Sequence, residues 1–140
     1  MEILTIILQL LLLSTPWIEE VMLDLKDAKN GIWDNHKKDI WTLRAPAFLL
    51  ASLVNVAIFP NEFIFPVHLL QSLVACFGLF VMFFDMTFGT FFKKDPFYLG
   101  ESSSTDNFLK RFSKLTLLGI RIIILGWCLG IYFGLDRILQ

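Results

Sequence analysis

The sequence has few of the residues that soluble enzymes use for catalysis or metal binding. Only 18% of its 140 residues are charged, and it contains two cysteines and two histidines. Cys76 and Cys128 lie in apolar runs without the spacing of a zinc or redox motif, and His36 and His68 are too far apart in sequence to suggest a metal pair. No HExxH, GxSxG or glycine-rich phosphate loop is present. These absences predict a protein that is not an enzyme and binds no cofactor.

The chain also lacks an excess of either charge, with 12 basic and 13 acidic residues and a net charge of -1. Without a global basic field, nucleic acid is not an expected partner. Apolar residues, in contrast, make up 56% of the chain, above the usual share in a soluble domain. We therefore predict an all-α integral membrane protein, with residues 1–140 forming a single domain in a lipid bilayer. Its size and topology suggest a bacterial or phage-encoded inner membrane.

Four apolar stretches are long enough to cross the roughly 30 Å hydrocarbon core of a bilayer. The predicted transmembrane spans cover residues 3–22, 41–59, 65–84 and 115–135. The first span could be mistaken for a secretory signal, but it has no Lys or Arg before its apolar run, and STPW is not a cleavage pattern. We interpret it as a retained helix that is kinked at Pro16 and continues to the stop signal Asn30-Gly31.

Positive charges are concentrated in the two long links between spans, residues 23–40 and 85–114. The short link PNEFIFP has none. The positive-inside rule therefore places both long links in the cytoplasm and both termini outside. The segment from Asp34 to Arg44 is predicted to form a juxtamembrane amphipathic helix. Ser104 or Thr105 is a candidate N-cap, so that the last helix begins near Asp106.

The last span has two faces that are not typical of lipid contact. One carries a double GxxxG pattern, which favours close packing against another transmembrane helix. The glycines of this face are Gly119, Gly126, Gly130 and Gly134. The opposite face carries a basic stripe of Lys110, Lys114 and Arg121. This stripe has two explanations. It is either a cytoplasmic entrance that attracts anions, or a set of basic side chains that form ion pairs or extend to the lipid headgroups.

An acidic residue at matching depth would compensate Arg121 inside the membrane. Asp85 is the first candidate, because Gln71, Gly78 and Asp85 are spaced by seven and form a stripe that descends the third span. Glu19 and Glu20, at the inner end of the first span, are the next candidates. A contact between Asp85 and Arg121 is the most specific geometric prediction from the sequence.

A polar seam crosses the short hairpin of the second and third spans. It contains Ser52 and Asn55 on one helix and His68 and Gln71 on the other. Hydrogen bonds between the helices are the simpler explanation for such a seam. The alternative is the lining of a pore or proton path, with His68 as its titrating group. The fifteen phenylalanines are explained by lipid contact and gap filling, and residues 87–92 are a candidate extension of the third helix.

Three functions are compatible with these features. The first is a small homo-oligomeric pore or channel, holin-like, with a basic cytoplasmic entrance between copies. The alternative is a non-conducting accessory or anchoring subunit that docks a protein partner through its cytoplasmic loops, including FYLGESSSTDNFLKRF. A membrane enzyme that acts on lipids through His68, Asp85 or Asp106 is the least favoured, because these groups are not paired at a convincing spacing.

Overall fold

The apolar stretches form four α-helices in the computed structural model, which describes residues 3–30, 44–60, 64–97 and 108–138, with side chains as far as residue 134. They are α1 (Ile3–Lys29), α2 (Ala45–Ile58), α3 (Phe65–Lys93) and α4 (Lys114–Ile138). The described residues contain no strand. These helices confirm the predicted all-α class. Three of them, α1, α3 and α4, are long and apolar enough to cross a membrane.

Helix α2 is shorter than predicted. Its 14 residues reach about 21 Å, less than the roughly 30 Å of a bilayer core. Pro46 lies in its first turn, where a missing N–H costs no helical hydrogen bond. Residues 41–43 of the predicted span, and the predicted amphipathic helix before Arg44, lie outside the described ranges.

Helix α1 runs without interruption through Pro16 and ends at Lys29, at the predicted stop signal. Proline has no N–H to donate to the carbonyl of Leu12, four residues earlier. The hydroxyl of Thr15 donates to that carbonyl instead, at 2.8 Å. A side chain therefore compensates for the proline, and the helix continues beyond it.

Helix α3 is the central helix and packs against α1, α2 and α4. It extends to Lys93, beyond the predicted end at residue 84 and through the suggested extension over 87–92. Lys94 stops it in a left-handed conformation, with φ 56°, and donates its backbone N–H to the carbonyl of Gly89. At 29 residues it is about 43 Å long, so it is longer than the apolar core of the membrane.

Helix α4 begins at Lys114, later than the predicted start near Asp106. Residues 108 and 109 form a short helical turn that ends before residues 110–113, and residues 98–107, with the predicted caps, lie outside the described ranges. The hydroxyl of Ser113 accepts the backbone N–H of Thr116 at 3.1 Å and caps the new helix. Lys110 precedes this break, so the prediction that it shares one helical stripe with Lys114 and Arg121 is wrong.

The buried core lies where α3 meets the other helices. Its apolar members are Leu13, Ala51, Ala75, Cys76, Leu79 and Tyr132. Along one side of α3, the rings of Phe80, Phe84, Phe88 and Phe92 stack at successive spacings of four residues, with centroids 4.6, 6.3 and 5.3 Å apart. These phenylalanines form an ordered column as well as filling space.

Candidate functional site

The predicted ion pair between α3 and α4 is present. Nη2 of Arg121 donates to Oδ2 of Asp85 at 2.8 Å. The arginine side chain is 6% exposed, whereas that of Asp85 is 42% exposed. Arg121 is therefore held inside the chain by a partner that reaches its surface. Nη1 of Arg121 is buried and has no hydrogen-bond partner among the described residues, so the guanidinium is only partly satisfied.

A second ion pair joins the start of α4 to Asp95, which lies just after the end of α3. Nζ of Lys114 donates to Oδ2 of Asp95 at 2.8 Å, and both side chains are exposed. The Lys114 ammonium, together with the backbone N–H of Phe97, lowers the pKa of Asp95 below its ordinary value. Two cations of the predicted basic stripe are thus matched to two acids, one on α3 and one just after its end.

Glu20 does not serve as the partner of Arg121. It forms an ion pair with Arg44, immediately before α2. The guanidinium of Arg44 also lies over the rings of Phe80 and Phe84, 5.2 and 5.5 Å from their centroids. Glu19 lines the groove beside Arg44 together with Glu20. Among the three candidate acids, Asp85 is the one that pairs with Arg121, and Glu20 of the first span pairs with the start of α2 instead.

The polar seam is a buried hydrogen-bond network. Nδ2 of Asn55 donates to Oγ of Ser72 at 3.0 Å and to Oη of Tyr132 at 2.8 Å, which joins α2, α3 and α4. The hydroxyl of Ser72 donates to the carbonyl of His68 at 3.0 Å. Nε2 of Gln71 donates to the carbonyl of Ile131 at 3.3 Å. The bonds of Asn55 and Gln71 are hydrogen bonds between helices, of the kind that the simpler explanation of the seam predicts.

The remaining member of the seam, Ser52, faces the sulfur of Cys76 at 3.7 Å. Ser52, Asn55, His68 and Gln71 are all buried. The side-chain oxygens of Asn55 and Gln71 are buried acceptors without a hydrogen-bond partner among the described residues. The sequence did not place Tyr132 in this network, although Tyr132 is on the same side of the last helix as Arg121.

Glycine has opposite roles on the two helices that form the ion pair. A Cβ added to Gly78 of α3 would lie 2.5 Å from Cβ of Cys128, so this glycine permits the close approach of α3 and α4. A Cβ added to Gly119, Gly126, Gly130 or Gly134 would meet nothing within 4 Å. The double GxxxG face therefore points away from the described part of the chain.

Large apolar side chains flank the glycines on this outward surface. Ile122, Ile123 and Trp127 are 52%, 61% and 72% exposed. We call this surface, made of Gly119, Gly126, Gly130 and Gly134 with Ile122, Ile123 and Trp127, the glycine face. Open positions at the glycines, beside exposed apolar side chains, form a surface that another membrane helix can approach closely.

Among the described residues, no group of three or more His, Cys, Asp or Glu side chains could hold a metal ion. Cys76 and Cys128 are buried free thiols. Comparisons with family models, curated proteins and solved structures gave no match for this chain.

Proposed function

We propose that this chain is a non-conducting membrane subunit that assembles with further copies of itself through the glycine face. One observation carries the proposal: the glycines of α4 have open space around them, while Gly78 provides the close approach within the chain. A run of glycines at GxxxG spacing stabilises helix pairs by bringing backbones together, and the described part of the chain leaves that capacity unused.

The positions of the cations support a non-conducting assembly over a pore. A basic entrance requires charges at a water-filled surface. Arg121 is buried against Asp85, and Lys114 is paired with Asp95. Copies that meet through the glycine face would bring apolar surfaces together, and each ion pair would remain within a single copy. A catalytic role is not part of the proposal.

Energy transfer between copies in vesicles tests the assembly. Donor-labelled and acceptor-labelled protein, each modified at the N-terminal amine, are mixed in liposomes at low protein density. We expect transfer for the wild type and loss of most of it for Gly126→Leu/Gly130→Leu. This variant adds bulk at the centre of the glycine face. Leucine has a higher helix propensity than glycine, so a loss of helix formation cannot explain the loss of transfer.

The matched control is Ala57→Leu, which adds bulk at an exposed position of α2. It should keep the transfer of the wild type. Equal transfer in the wild type and the double glycine variant would contradict assembly through this face. The same vesicles test conduction, because the proposal expects no anion flux. A flux that is reduced or changes selectivity in Arg121→Gln would instead support the pore.

A further inference from the structure

A second surface of the molecule is a groove between α1 and the far end of α3. Its cavity is about 550 Å³, within the range of sites that hold small molecules. Trp17 and Met22 of α1 form one apolar wall, and Phe91 and Thr87 of α3 form the other. Lys26 and Lys29 line the end near the last turn of α1. We call this cavity the α1–α3 groove.

The length of the groove corresponds to one leaflet of a bilayer. Trp17 and Lys29 are separated by about 18 Å along the helix axis. Half of the roughly 30 Å hydrocarbon core is about 15 Å. A groove with apolar walls over this length and cations at one end has the polarity of a single phospholipid, which is apolar along its acyl chain and charged at its headgroup.

The charges of α1 are sorted between its two sides. Glu20, Asp24 and Asp27 line a different groove, which also contains Arg44. Lys26 and Lys29 line the α1–α3 groove, which contains no acidic residue. Neither lysine forms an ion pair with another of the residues that the structure describes. The groove is therefore positively charged at its open end, although the helix carries acids at the same level.

We propose that the α1–α3 groove binds one acyl chain of an anionic phospholipid, with the lipid phosphate held by Lys26 and Lys29. The site is independent of the glycine face, which lies on α4. Each lysine near an anionic headgroup favours that lipid by roughly five-fold, so two lysines predict a preference of up to roughly twenty-five-fold over a neutral lipid.

Fluorescence quenching of Trp17 tests this site. Trp33, Trp41 and Trp127 are replaced by Phe, so that only Trp17 emits. The protein is placed in phosphatidylcholine vesicles that contain a minor fraction of phosphatidylglycerol with brominated acyl chains. Matched vesicles carry the bromine on an equal fraction of phosphatidylcholine. The brominated anionic lipid should quench Trp17 at a several-fold lower fraction than the brominated neutral lipid.

Two charge variants separate the lysines of the groove from charge in general. Lys26→Gln/Lys29→Gln should remove the preference for phosphatidylglycerol. Lys93→Gln/Lys94→Asn removes the same charge from the end of α3, where neither residue lines the groove, and should retain the preference. Asn at residue 94 tolerates the left-handed conformation. Helical content and elution volume confirm that each variant is folded.

The Thr87→Phe variant tests the groove itself, because it adds bulk to the wall without changing charge. Quenching by both brominated lipids should fall. Equal quenching by the two lipids in the protein that retains only Trp17, or an unchanged preference when Lys26→Gln/Lys29→Gln is added to it, would overturn the proposal. If quenching appears only when the protein is diluted in the bilayer, a second copy of the chain occupies the groove at higher protein density. That result would also overturn the proposal.

Discussion

The inward and outward faces of α4 both carry residues that are not typical of lipid contact, but the two faces have different surroundings. On the inward face, Arg121 pairs with Asp85, Cys128 lies against Gly78, and Tyr132 accepts a hydrogen bond from Asn55. On the outward face, the glycines touch nothing in the described part of the chain. Polar residues on one face and small residues on the other are not typical of lipid contact, but the described helices cover only the inward face.

The largest expected effect comes from placing the same side chain on each face. Gly78→Leu would force α3 and α4 apart, because a Cβ at this position already meets Cys128, and we expect destabilisation by roughly 3 kcal/mol or more. Gly126→Leu should not destabilise the single copy, and the higher helix propensity of leucine should raise its stability by up to about 1 kcal/mol. Unfolding in mixed micelles by increasing SDS measures both. Comparable losses would show that the outward glycines are packed within the chain.

The inward face can also be broken through its ion pair. Asp85→Asn should destabilise the protein by about 2 kcal/mol, less than a fully buried pair, because the aspartate is partly exposed. Arg121→Met should cost less, since it removes the buried charge together with its need for a partner. The same SDS titration gives both values.

A charge swap tests whether these two residues depend on each other. Asp85→Arg/Arg121→Asp should fold better than either of its single substitutions. If the double variant is no better than the worse single one, the arginine is compensated by headgroups or water and not by Asp85.

A smaller effect is expected where the inward face joins the polar seam. Tyr132→Phe removes the hydroxyl that accepts from Asn55 and should cost roughly 1 kcal/mol, in the range of hydrogen bonds between membrane helices. Ile123→Val, on the outward face of the same helix, is the control and should leave the unfolding midpoint unchanged. A neutral Tyr132→Phe would mean that Nδ2 of Asn55 needs only Ser72 as its acceptor.

The smallest effect belongs to the exposed pair beyond the membrane end of α3. The pKa of Asp95 is lowered in the folded protein, so its contribution to stability is present above the ordinary aspartate pKa and disappears as the pH falls through the lowered value. Wild type and Asp95→Asn should therefore differ slightly at neutral pH and converge in acid. Thermal unfolding of both proteins across this pH range measures the difference in stability. A difference that grows in acid would contradict this prediction.

The sequence predicted the inward face better than the outward one. The spacing of Gln71, Gly78 and Asp85 gave the depth of the acid, and the charge of Arg121 required a partner at that depth. Gly78 was assigned only to this stripe, because a single glycine in a membrane helix gives no sign of what approaches it. The GxxxG pattern indicates close packing but not whether the other helix belongs to the same chain.

Two further departures from the sequence-based predictions have local causes. The start of α4 was placed too early because Ser104 and Thr105 have the chemistry of an N-cap, as does Ser113, the residue that caps the helix in the structure. The contact of Arg44 with Glu20 and the phenylalanine column was missed. The four-residue spacing of Phe80 and Phe84 was the available signal, but it was attributed to lipid contact.

The hydrogen bond from Thr15 to the carbonyl of Leu12 restricts the order in which this helix can change over evolution. While Pro16 is present, replacing Thr15 by valine leaves a backbone carbonyl without a donor inside the bilayer, where each such group is costly. If Pro16 is first replaced by alanine, the new N–H supplies that donor and Thr15 becomes replaceable. Homologous chains that lack the proline should therefore vary freely at residue 15, whereas those that keep it should retain a hydroxyl there.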